Sequence, residues 1–309
     1  MNSEAVVARP KVLALDERPN HVKSIPFYLM HILPLGALWT GTKPIDWAVC
    51  CVLYFSRMFF VTGVMHRYFA HKTYKSQRWF QAVLAFGSTL TAQKGFLWWA
   101  AWHRVHHRAP DRPDDPHDSE KGFWWSHVGW ILCDKFNHTR WELVKPWLAY
   151  PELVWLNNRW WIGPTLLGVG IFLWGGWSML FIGFFLSTAL LYHGTFCINS
   201  LAHVSFLWSK TPYTGRLVGK SQNSWLLALV TMGEGWHNSH HHVFRVTKQG
   251  DKWWQIDVTY YILWTLSMIR LPWVKKADHK LGWRLIPIFV WDVTRHPKQK
   301  LQSASPNPA

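Results

Sequence analysis

Residues 160–209 read WWIGPTLLGVGIFLWGGWSMLFIGFFLSTALLYHGTFCINSLAHVSFLWS, and these 50 positions contain no Asp, Glu, Lys or Arg. A helix of 50 residues is about 75 Å long, whereas the hydrocarbon core of a bilayer is about 30 Å thick. The stretch therefore predicts two membrane-spanning helices, at residues 160–178 and 179–198, joined by a turn near Gly175 and Gly176. This stretch alone excludes a water-soluble protein.

A second apolar zone lies nearer the N-terminus, at residues 25–65. It predicts two further spans, at residues 25–42 and 45–65. Pro34 lies inside the first of them and predicts a kink. Arg57 lies inside the second, where a charged side chain must face the bundle interior or reach the interface. Three other apolar runs are too short to span a bilayer and predict interfacial helices, at residues 82–93, 222–233 and 258–271.

The sequence thus predicts an all-α, polytopic membrane protein with four transmembrane helices in two hairpins. A polar tail at residues 1–24 precedes a membrane domain at residues 25–275, and a second polar tail follows at residues 276–309. The segments outside the two hairpins form a helical cap on one face of the membrane.

The positive charge of the chain, formally +16, indicates which face that is. Of 33 Lys and Arg residues, only Lys43 and Arg57 fall inside the apolar zones. The others lie in the three segments that two hairpins place on the same face, and the positive-inside bias makes that face cytoplasmic. We expect a multi-pass protein, for example of a bacterial inner membrane, with both termini and the cap in the cytoplasm. We therefore attribute the positive charge to the orientation of the protein in the membrane and to contact with membrane lipid, rather than to nucleic-acid binding.

Three histidine clusters fall on the predicted cytoplasmic face: HRYFAH at 66–71, HRVHH at 103–107 and HNSHH at 237–241. On an α-helix, positions i, i+3 and i+4 share a face, so the last two clusters each direct three imidazoles one way. The two histidines of the first cluster are offset by about 140° on an α-helix, so they need a helix break or two different ions. The eight candidate ligands are His66, His71, His103, His106, His107, His237, His240 and His241.

The number and type of these side chains predict a centre with two metal ions. Imidazole suits Fe, Zn, Cu or Ni, and eight ligands exceed the coordination number of one ion. A structural zinc site is usually closed by four ligands, often including Cys. An oxygen-activating centre fits the pattern better.

Carboxylates near the clusters are candidates for orienting the ligands. Metal-bound His usually donates its other ring N–H to an acceptor. Glu234 precedes the third cluster and Asp115 follows the second, and we predict this role for both. Other candidates in the same segment are Asp111, Asp114 and Asp118. The alternative for each Asp is that it solvates a loop or caps a helix.

The order of the clusters resembles the integral-membrane fatty-acid desaturases, most closely the stearoyl-CoA (Delta-9) branch in a bacterial form without a fused cytochrome domain. The resemblance includes DPHDSEKGFWWSHVGW at 115–130, NSLAH at 199–203 and GEGWHNSHH at 233–241, and covers about residues 25–275. It implies two iron ions that activate O2, and a product with a cis double bond in a formerly saturated acyl chain. Acyl-CoA is the substrate that this branch implies.

The resemblance also adds residues to the candidate site. It implies that His203 is a ninth ligand and that Asn199 holds a metal-bound water, although His203 taken alone is a core residue at the end of a span. His242, which extends the third cluster, is an alternative ligand. His31 and His193 lie in apolar runs and are assigned to packing or hydrogen bonding.

The same resemblance implies a bent substrate tunnel that selects the reacting carbon by depth. It places Gln93, Trp99 and Thr195 at the bend, with Phe196 where the best-known members carry Trp. The alternative for Trp99 is an interfacial anchor.

The electrons for such chemistry are expected from outside the chain. The sequence contains no G-x-G-x-x-G, P-loop or haem-binding H-P-G-G pattern. We therefore expect a ferredoxin, rubredoxin or cytochrome-type donor with its reductase.

Two other functions remain open: a membrane diiron hydroxylase of alkanes or lipids, and a non-catalytic membrane metal-binding protein. The second would favour ionisable residues inside the spans, and residues 160–209 contain only His193 and His203.

Overall fold

The computed structural model of the protein describes residues 13–204, 208–277 and 280–294. The fold is mostly helical, as the sequence predicts. In chain order the α-helices are α1 (Ile25–Ile32), α2 (Ala37–Thr40), α3 (Pro44–Phe59), α4 (Arg78–Thr89), α5 (Phe96–Arg108), α6 (Trp130–Leu132), α7 (Pro151–Asn158), α8 (Ile162–Met179), α9 (Ser187–Asn199), α10 (Trp225–Val230), α11 (His237–His242) and α12 (Val258–Met268). Wider π-helical segments extend some of them, at Phe60–Ala70, Trp125–Gly129 and Leu180–Leu186.

The first apolar zone forms two consecutive helical stretches. A 3-10 turn at Leu33–Gly36 separates α1 from α2, at the position where the sequence predicts a kink from Pro34. The second stretch is continuous, because α3 runs directly into the π-helix that ends at Ala70. This stretch, Pro44–Ala70, has 27 residues and is long and apolar enough to cross a bilayer.

The uncharged zone forms the other helix of that kind, Ile162–His203, with 42 residues. Gly176 interrupts it with a φ of 70°, a left-handed conformation that glycine adopts readily, next to the predicted turn. The chain then folds back on itself, because a Cβ built on Gly168 would lie 3.4 Å from the ring of Phe184. Within the described residues these two helices meet the length and hydropathy required for spanning, and the apolar stretch Ile25–Thr40 is shorter.

Arg57 joins the two apolar zones inside the bundle. Its side chain is only 1% exposed, so it faces the interior rather than the interface. The guanidinium donates to the hydroxyls of Ser187, at 2.5 Å, and Thr188, at 2.7 Å. Its Nε also donates to the carbonyl oxygen of Leu53, at 2.9 Å. The buried charge is therefore surrounded by oxygen acceptors, as an arginine in an apolar bundle requires.

Two short antiparallel sheets differ from the all-α prediction. β1 (Lys75–Ser76) pairs with β4 (Val290–Trp291), and β2 (Arg270–Ala277) pairs along its length with β3 (Lys280–Pro287). The all-α prediction is wrong for these strands. The apolar run at 258–271 predicts one helix, and nothing in it indicates that α12 ends at Met268 and that β2 begins at Arg270. The predicted polar tail at 276–309 includes β3 and β4, and its residues 295–309 lie outside the described part.

The core positions the histidine clusters by packing α5 against the π-helix. Phe69 of the π-helix and Phe96 of α5 are fully buried, with ring centroids 4.5 Å apart. Small residues of α5, Ala100 and Ala101, let the two helices approach closely. The predicted N-terminal tail, of which residues 13–24 are described, also contacts the segment after α5, because the buried Glu17 pairs with Lys121 and Lys135.

Candidate metal centre

The π-helix brings His66 and His71 to one side of the chain. The amide N–H of His71 donates to the carbonyl oxygen of His66 at 3.0 Å, the i to i+5 bond that defines π-helical winding. Residues five apart then lie above one another, and the two imidazole centroids are 4.7 Å apart. The offset of an α-helix therefore does not apply, and both histidines reach the same cluster.

Nine histidines converge in two adjoining clusters. The five-histidine cluster contains His66, His71, His103, His107 and His240, and the four-histidine cluster contains His106, His203, His237 and His241. Within each cluster one ligand nitrogen of every member lies within 4.8 Å of all the others. The clusters adjoin where the rings of His107 and His241 stack, with centroids 4.3 Å apart. All nine histidines named from the sequence are thus brought together.

The spacing of the ring nitrogens fits metal coordination better than hydrogen bonding. The Nε2 of His237 lies 3.0 Å from that of His203 and 3.1 Å from that of His241. A neutral ring nitrogen has one N–H or one lone pair, so it cannot form both contacts as hydrogen bonds. With metal–nitrogen bonds of about 2.1 Å, as in zinc–imidazole sites, ligands at right angles lie about 3.0 Å apart. Each cluster therefore fits one cation.

The protonation state of the clusters agrees with this interpretation. Burial and the neighbouring histidines lower the pKa of the imidazoles well below the ordinary value at His103, His106, His107, His237 and His240. Burial likewise lowers the pKa of His241 to about 3. These groups are neutral near pH 7, and the neutral imidazole is the form that binds a metal.

Carboxylates hold the outer nitrogens of three of these rings. Glu234 lies 2.6 Å from Nδ1 of His66, and Asp115 lies 2.8 Å from Nδ1 of His106. Both are buried, and both stand where the sequence predicts an orienting carboxylate. Asp111 does the same for His203, at 3.0 Å. Such contacts fix the ring orientation and make the inner nitrogen a better ligand.

An arginine links the carboxylates beneath the five-histidine cluster. Arg67, which is 1% exposed, donates to Glu234 at 3.1 Å and to Asp257 at 2.9 Å. Burial alone would raise the pKa of Glu234, but His66 and Arg67 bring it below the ordinary value. The Arg67–Asp257 pair was not predictable from the sequence, because 190 residues separate the two and no local pattern marks them.

The residues predicted for the tunnel lie where a large cavity meets the clusters. The large cavity has a volume of about 780 Å³ and lies between α1 and the α8–α9 hairpin. A small cavity of about 30 Å³ adjoins the histidines. Trp99, Thr195 and Asn199 line both, and Gln93 lines the large cavity and donates to the hydroxyl of Thr195 at 2.8 Å. Trp99 also stacks on His103, with centroids 4.8 Å apart, so it is not confined to an interfacial position.

Asn199 lines the small cavity together with His106 and His237 of the four-histidine cluster. This places its amide beside the cluster that has one ligand fewer. His117, to which no role was assigned from the sequence, lines the same cavity, and its ring centroid lies 4.1 Å from that of His106. His242 lies outside both clusters and stacks on Tyr213, with centroids 4.0 Å apart.

Three histidines outside the clusters form a separate chain of contacts. The Nε2 atoms of His31 and His193 are 3.2 Å apart, and the Nδ1 of His193 lies 2.9 Å from Nε2 of His127. His127 in turn contacts the hydroxyl of Ser200 at 2.9 Å. These contacts connect α1 and α9 to the π-helical segment that contains His127, in agreement with the hydrogen-bonding role predicted for His31 and His193.

The protein has apolar helices long enough to span a bilayer, and its histidine clusters lie beside the ends of these helices. This combination is typical of membrane-bound metalloenzymes. The family model for "Fatty acid desaturase" matches residues 44–275. The chain is 32% identical over 280 residues to the sn-1 stearoyl-lipid 9-desaturase of Anabaena variabilis, covering 87% of this chain and 99% of that protein. It is 32% identical over 254 residues to the sn-2 palmitoyl-lipid 9-desaturase of Nostoc sp. (strain 36), covering 79% and 86%.

A plant relative has a different kind of substrate in its name. The chain is 31% identical over 247 residues to the acyl-CoA C20 Delta5-desaturase of Anemone leveillei, covering 78% of this chain and 77% of that protein. The extent of these matches shows the family. The chain belongs to the fatty acid desaturase family and is a membrane-bound oxidoreductase that desaturates fatty acyl chains.

Proposed function

We propose that the protein is an O2-dependent Delta-9 acyl desaturase with two iron ions, one in each histidine cluster. The convergence of nine imidazoles beside a large, mostly apolar cavity carries this proposal. When bound, the two ions would supply O2 reduction and removal of two hydrogens from adjacent methylenes. The ligands would be the nine clustered histidines, with Asn199 holding a water. Glu234, Asp115 and Asp111 would orient the rings that they contact.

The chain's own contribution to selectivity is placement of an acyl chain that has no polar handle. Apolar burial is worth about 0.8 kcal/mol per methylene and has no direction, so shape must determine which carbons meet the metal. The Gln93–Thr195 hydrogen bond and the Trp99 ring lie at the junction of the two cavities. We assign them to holding the bend of the acyl chain beside the clusters.

The cations and apolar side chains of the large cavity bear on which carrier the acyl chain has. The sequence resemblance predicts acyl-CoA, whose phosphates need free cations at the entrance. The two lysines lining the large cavity are engaged: Lys23 pairs with Asp134 at 2.8 Å, and Lys94 donates to the side-chain oxygen of Asn137 at 2.6 Å. The cavity wall also includes Trp161, Val169 and Trp177, which are 54%, 51% and 57% exposed in an apolar helical zone. These observations favour a lipid-linked chain over acyl-CoA.

The proposed topology has four spans in two hairpins, with both termini and the histidine clusters in the cytoplasm. The break at Gly176 and the fold-back of Gly168 onto Phe184 support the second hairpin. The distribution of Lys and Arg supports the orientation. We also propose that the protein lies in a bacterial inner membrane and receives its electrons from a separate ferredoxin, rubredoxin or cytochrome-type donor.

Product analysis tests the proposed activity. In a bacterial host whose own acyl desaturase has been deleted, we expect cis double bonds at carbon 9, measured by gas chromatography–mass spectrometry of total acyl chains. The purified protein, supplied in turn with isotope-labelled stearoyl-CoA and labelled phosphatidyl lipid, then identifies the carrier. An alcohol in place of an alkene would indicate the hydroxylase, and no product from iron-loaded protein with a reductant would contradict enzymatic function.

The closed end of the tunnel gives a second prediction. By α-helical spacing the sequence predicts that Tyr54, Met58, Thr62 and Met65 share one helix face. In the structure Tyr54 and Met58 lie in α3, whereas Thr62 and Met65 belong to the π-helix, where that spacing no longer holds. Met58 and Thr62 line the small cavity beside His66. Met58→Ala should admit longer acyl chains and Met58→Trp should favour shorter ones, with iron content unchanged. The measurement is the product profile from saturated chains of graded length.

Tyr54 supplies the control on the same face. Its hydroxyl donates to the carbonyl oxygen of Val230 at 3.0 Å, and it lines neither cavity. Tyr54→Phe should leave the chain profile unchanged. If active Met58→Ala and Met58→Trp proteins both keep the wild-type profile, this face does not line the tunnel.

A further inference from the structure

The large cavity extends along the apolar helices, well beyond the residues assigned to the bend of the acyl chain. On α8 it is lined by Pro164, Gly168 and Phe172, which share one helix face by their i+4 spacing. On the returning arm of the hairpin its lining runs from Asn199 back to Phe185, which is 14 residues and about 20 Å at 1.5 Å per residue. One leaflet of the hydrocarbon core of a bilayer is about 15 Å thick. The cavity is therefore deep enough to hold a lipid tail along its length.

We call the deep part of this cavity the tail groove. We define it by six apolar residues on α1, on α8 and on the π-helix that leads into α9: Met30, Gly168, Val169, Phe172, Phe184 and Phe185. The groove leads away from the histidine clusters, because α9 reaches the small cavity beside them at its other end, at Thr195 and Asn199. An acyl chain in the tail groove therefore does not reach the clusters.

The tail groove is a recess and not part of the outer surface of the helices. Phe184 and Gly168 are buried, and Val169 lies at an exposed rim. Leu166 and Leu173, on the same helix α8, are exposed and do not line the cavity. A chain in such a recess makes apolar contacts on several sides without any directional bond, so the shape of the recess determines what fits.

The cavity also has a polar mouth, lined by Lys23, Lys94 and Asn137. Lys94 donates to Asn137 at 2.6 Å, and Lys23 and Asn137 each donate to Asp134 at 2.8 Å. Gln93 directly precedes Lys94 and lies where the large cavity meets the small one. Two apolar branches therefore start from one polar mouth: the tail groove and the path to the histidine clusters.

We propose that the tail groove binds the second, unreactive acyl chain of a diacyl lipid while the first chain reaches the histidine clusters past Gln93 and Trp99. The proposal rests on the proposed function and names its substrate class as a lipid with two tails. The polar end of the substrate stays at the polar mouth, so the reacting chain runs from there to the clusters. The tail groove starts at the same mouth and runs the other way, so a substrate with one chain would leave it empty.

Val169→Trp tests the tail groove, because a larger side chain at the exposed rim narrows the groove without entering the core. The iron-loaded protein in detergent micelles receives electrons from a reduced ferredoxin and is supplied with isotope-labelled distearoyl phosphatidylcholine or stearoyl lysophosphatidylcholine. The two lipids share a headgroup and differ by one chain. The kcat/KM of the variant for the two-chain lipid should fall at least about tenfold, the low end of what exclusion from an apolar pocket produces. Its kcat/KM for the one-chain lipid should stay at the wild-type value.

Leu173→Trp is the matched control, because it adds a tryptophan to α8 at an exposed position outside the cavity. It should use both lipids as the wild-type protein does.

Photo-crosslinking tests binding without turnover. A phosphatidylcholine with a diazirine in one chain should label Phe172 and Phe185 in the wild-type protein, and Val169→Trp should lose this label. Labelling of the exposed Leu173 should be the same in both proteins.

Four results would overturn the assignment of the tail groove. They are wild-type use of the two-chain lipid by Val169→Trp, equal loss of both lipids in that variant, a crosslink that is confined to exposed residues such as Leu173 or persists in the variant, and wild-type activity on stearoyl-CoA alone. The second would assign the groove to the reacting chain, and the third would assign the label to bulk membrane lipid. Absence of product from all three substrates, with the crosslink at Phe185 present, would instead contradict the proposed function and leave the tail groove standing.

Discussion

His237→Ala is expected to abolish desaturation and to remove one of two bound iron ions. His237 is 2% exposed and contributes an inner nitrogen to the four-histidine cluster, which has one histidine fewer than its neighbour. Loss of even an outer carboxylate typically costs about 10–100-fold in metal affinity or activity, and loss of a direct ligand should cost more. The measurements are iron content by mass spectrometry and product by gas chromatography. The same loss of activity is expected for alanine at each of the nine histidines.

His242→Ala is the matched control for this series. It lies in the same helix, beside the candidate ligand His241, but its exposed ring stacks on Tyr213 outside both clusters. It should retain two iron ions and near-normal product. If two or more of the nine ligand variants also kept near-normal product at normal expression, the nine-ligand assignment would be wrong.

Arg67→Met is expected to destabilise the protein by about 3–5 kcal/mol, the cost of removing one partner from a buried ion pair. The substitution keeps an unbranched apolar stem but removes the guanidinium, so Glu234 and Asp257 lose their shared cation. Glu234 also orients His66, so iron retention should fall along with stability. Thermal unfolding in detergent, with and without iron, measures both effects.

Arg78→Met provides the comparison, because Arg78 forms an ion pair with Glu152 at 2.9 Å on the exposed surface. Solvent screens such a pair, and its removal should leave the unfolding temperature unchanged. Equal shifts in the two variants would show that the Arg67 network does not stabilise the fold.

The histidine clusters were predictable because their spacing is local. His237, His240 and His241 share one face of a short helix, as any i, i+3, i+4 set does. His66 and His71 were not predictable in the same way, since sequence periodicity assumes α-helical winding. The π-helix at Phe60–Ala70 changes that period, and no residue in the segment predicts π-helical winding.

Contacts between distant segments also escaped prediction. The sequence identifies Glu234 and Asp115 as orienting carboxylates by proximity to a cluster, but not the ring that each one contacts. Glu234 contacts His66, which is 168 residues away, rather than a histidine of its own segment. Such pairings depend on tertiary packing, which a single sequence does not encode in any local pattern.

The membrane zones show the same division between local and tertiary information. The length of the stretch without charged residues predicts the apolar helical zone Ile162–His203. The pair Gly175–Gly176 predicts its break at Gly176, because glycine adopts a left-handed conformation readily. The large cavity between α1 and the α8–α9 hairpin has no such signal, because its apolar lining looks like any other lipid-facing or core surface. The β2–β3 pairing was likewise hidden in a segment whose composition is partly apolar and partly basic.

In the proposed four-span topology, the buried arginine between the two hairpins constrains the order of events during synthesis. Arg57 enters the bilayer with its own segment, but its acceptors Ser187 and Thr188 emerge from the ribosome 130 residues later. At about 5–20 residues per second, this is a delay of roughly 7–26 s. An arginine near the centre of a span disfavours insertion by about 2.5–3.5 kcal/mol on translocon scales. The first hairpin therefore has to be retained by the insertion machinery until the second arrives, and truncated chains ending before Ser187 should be substrates for membrane quality control.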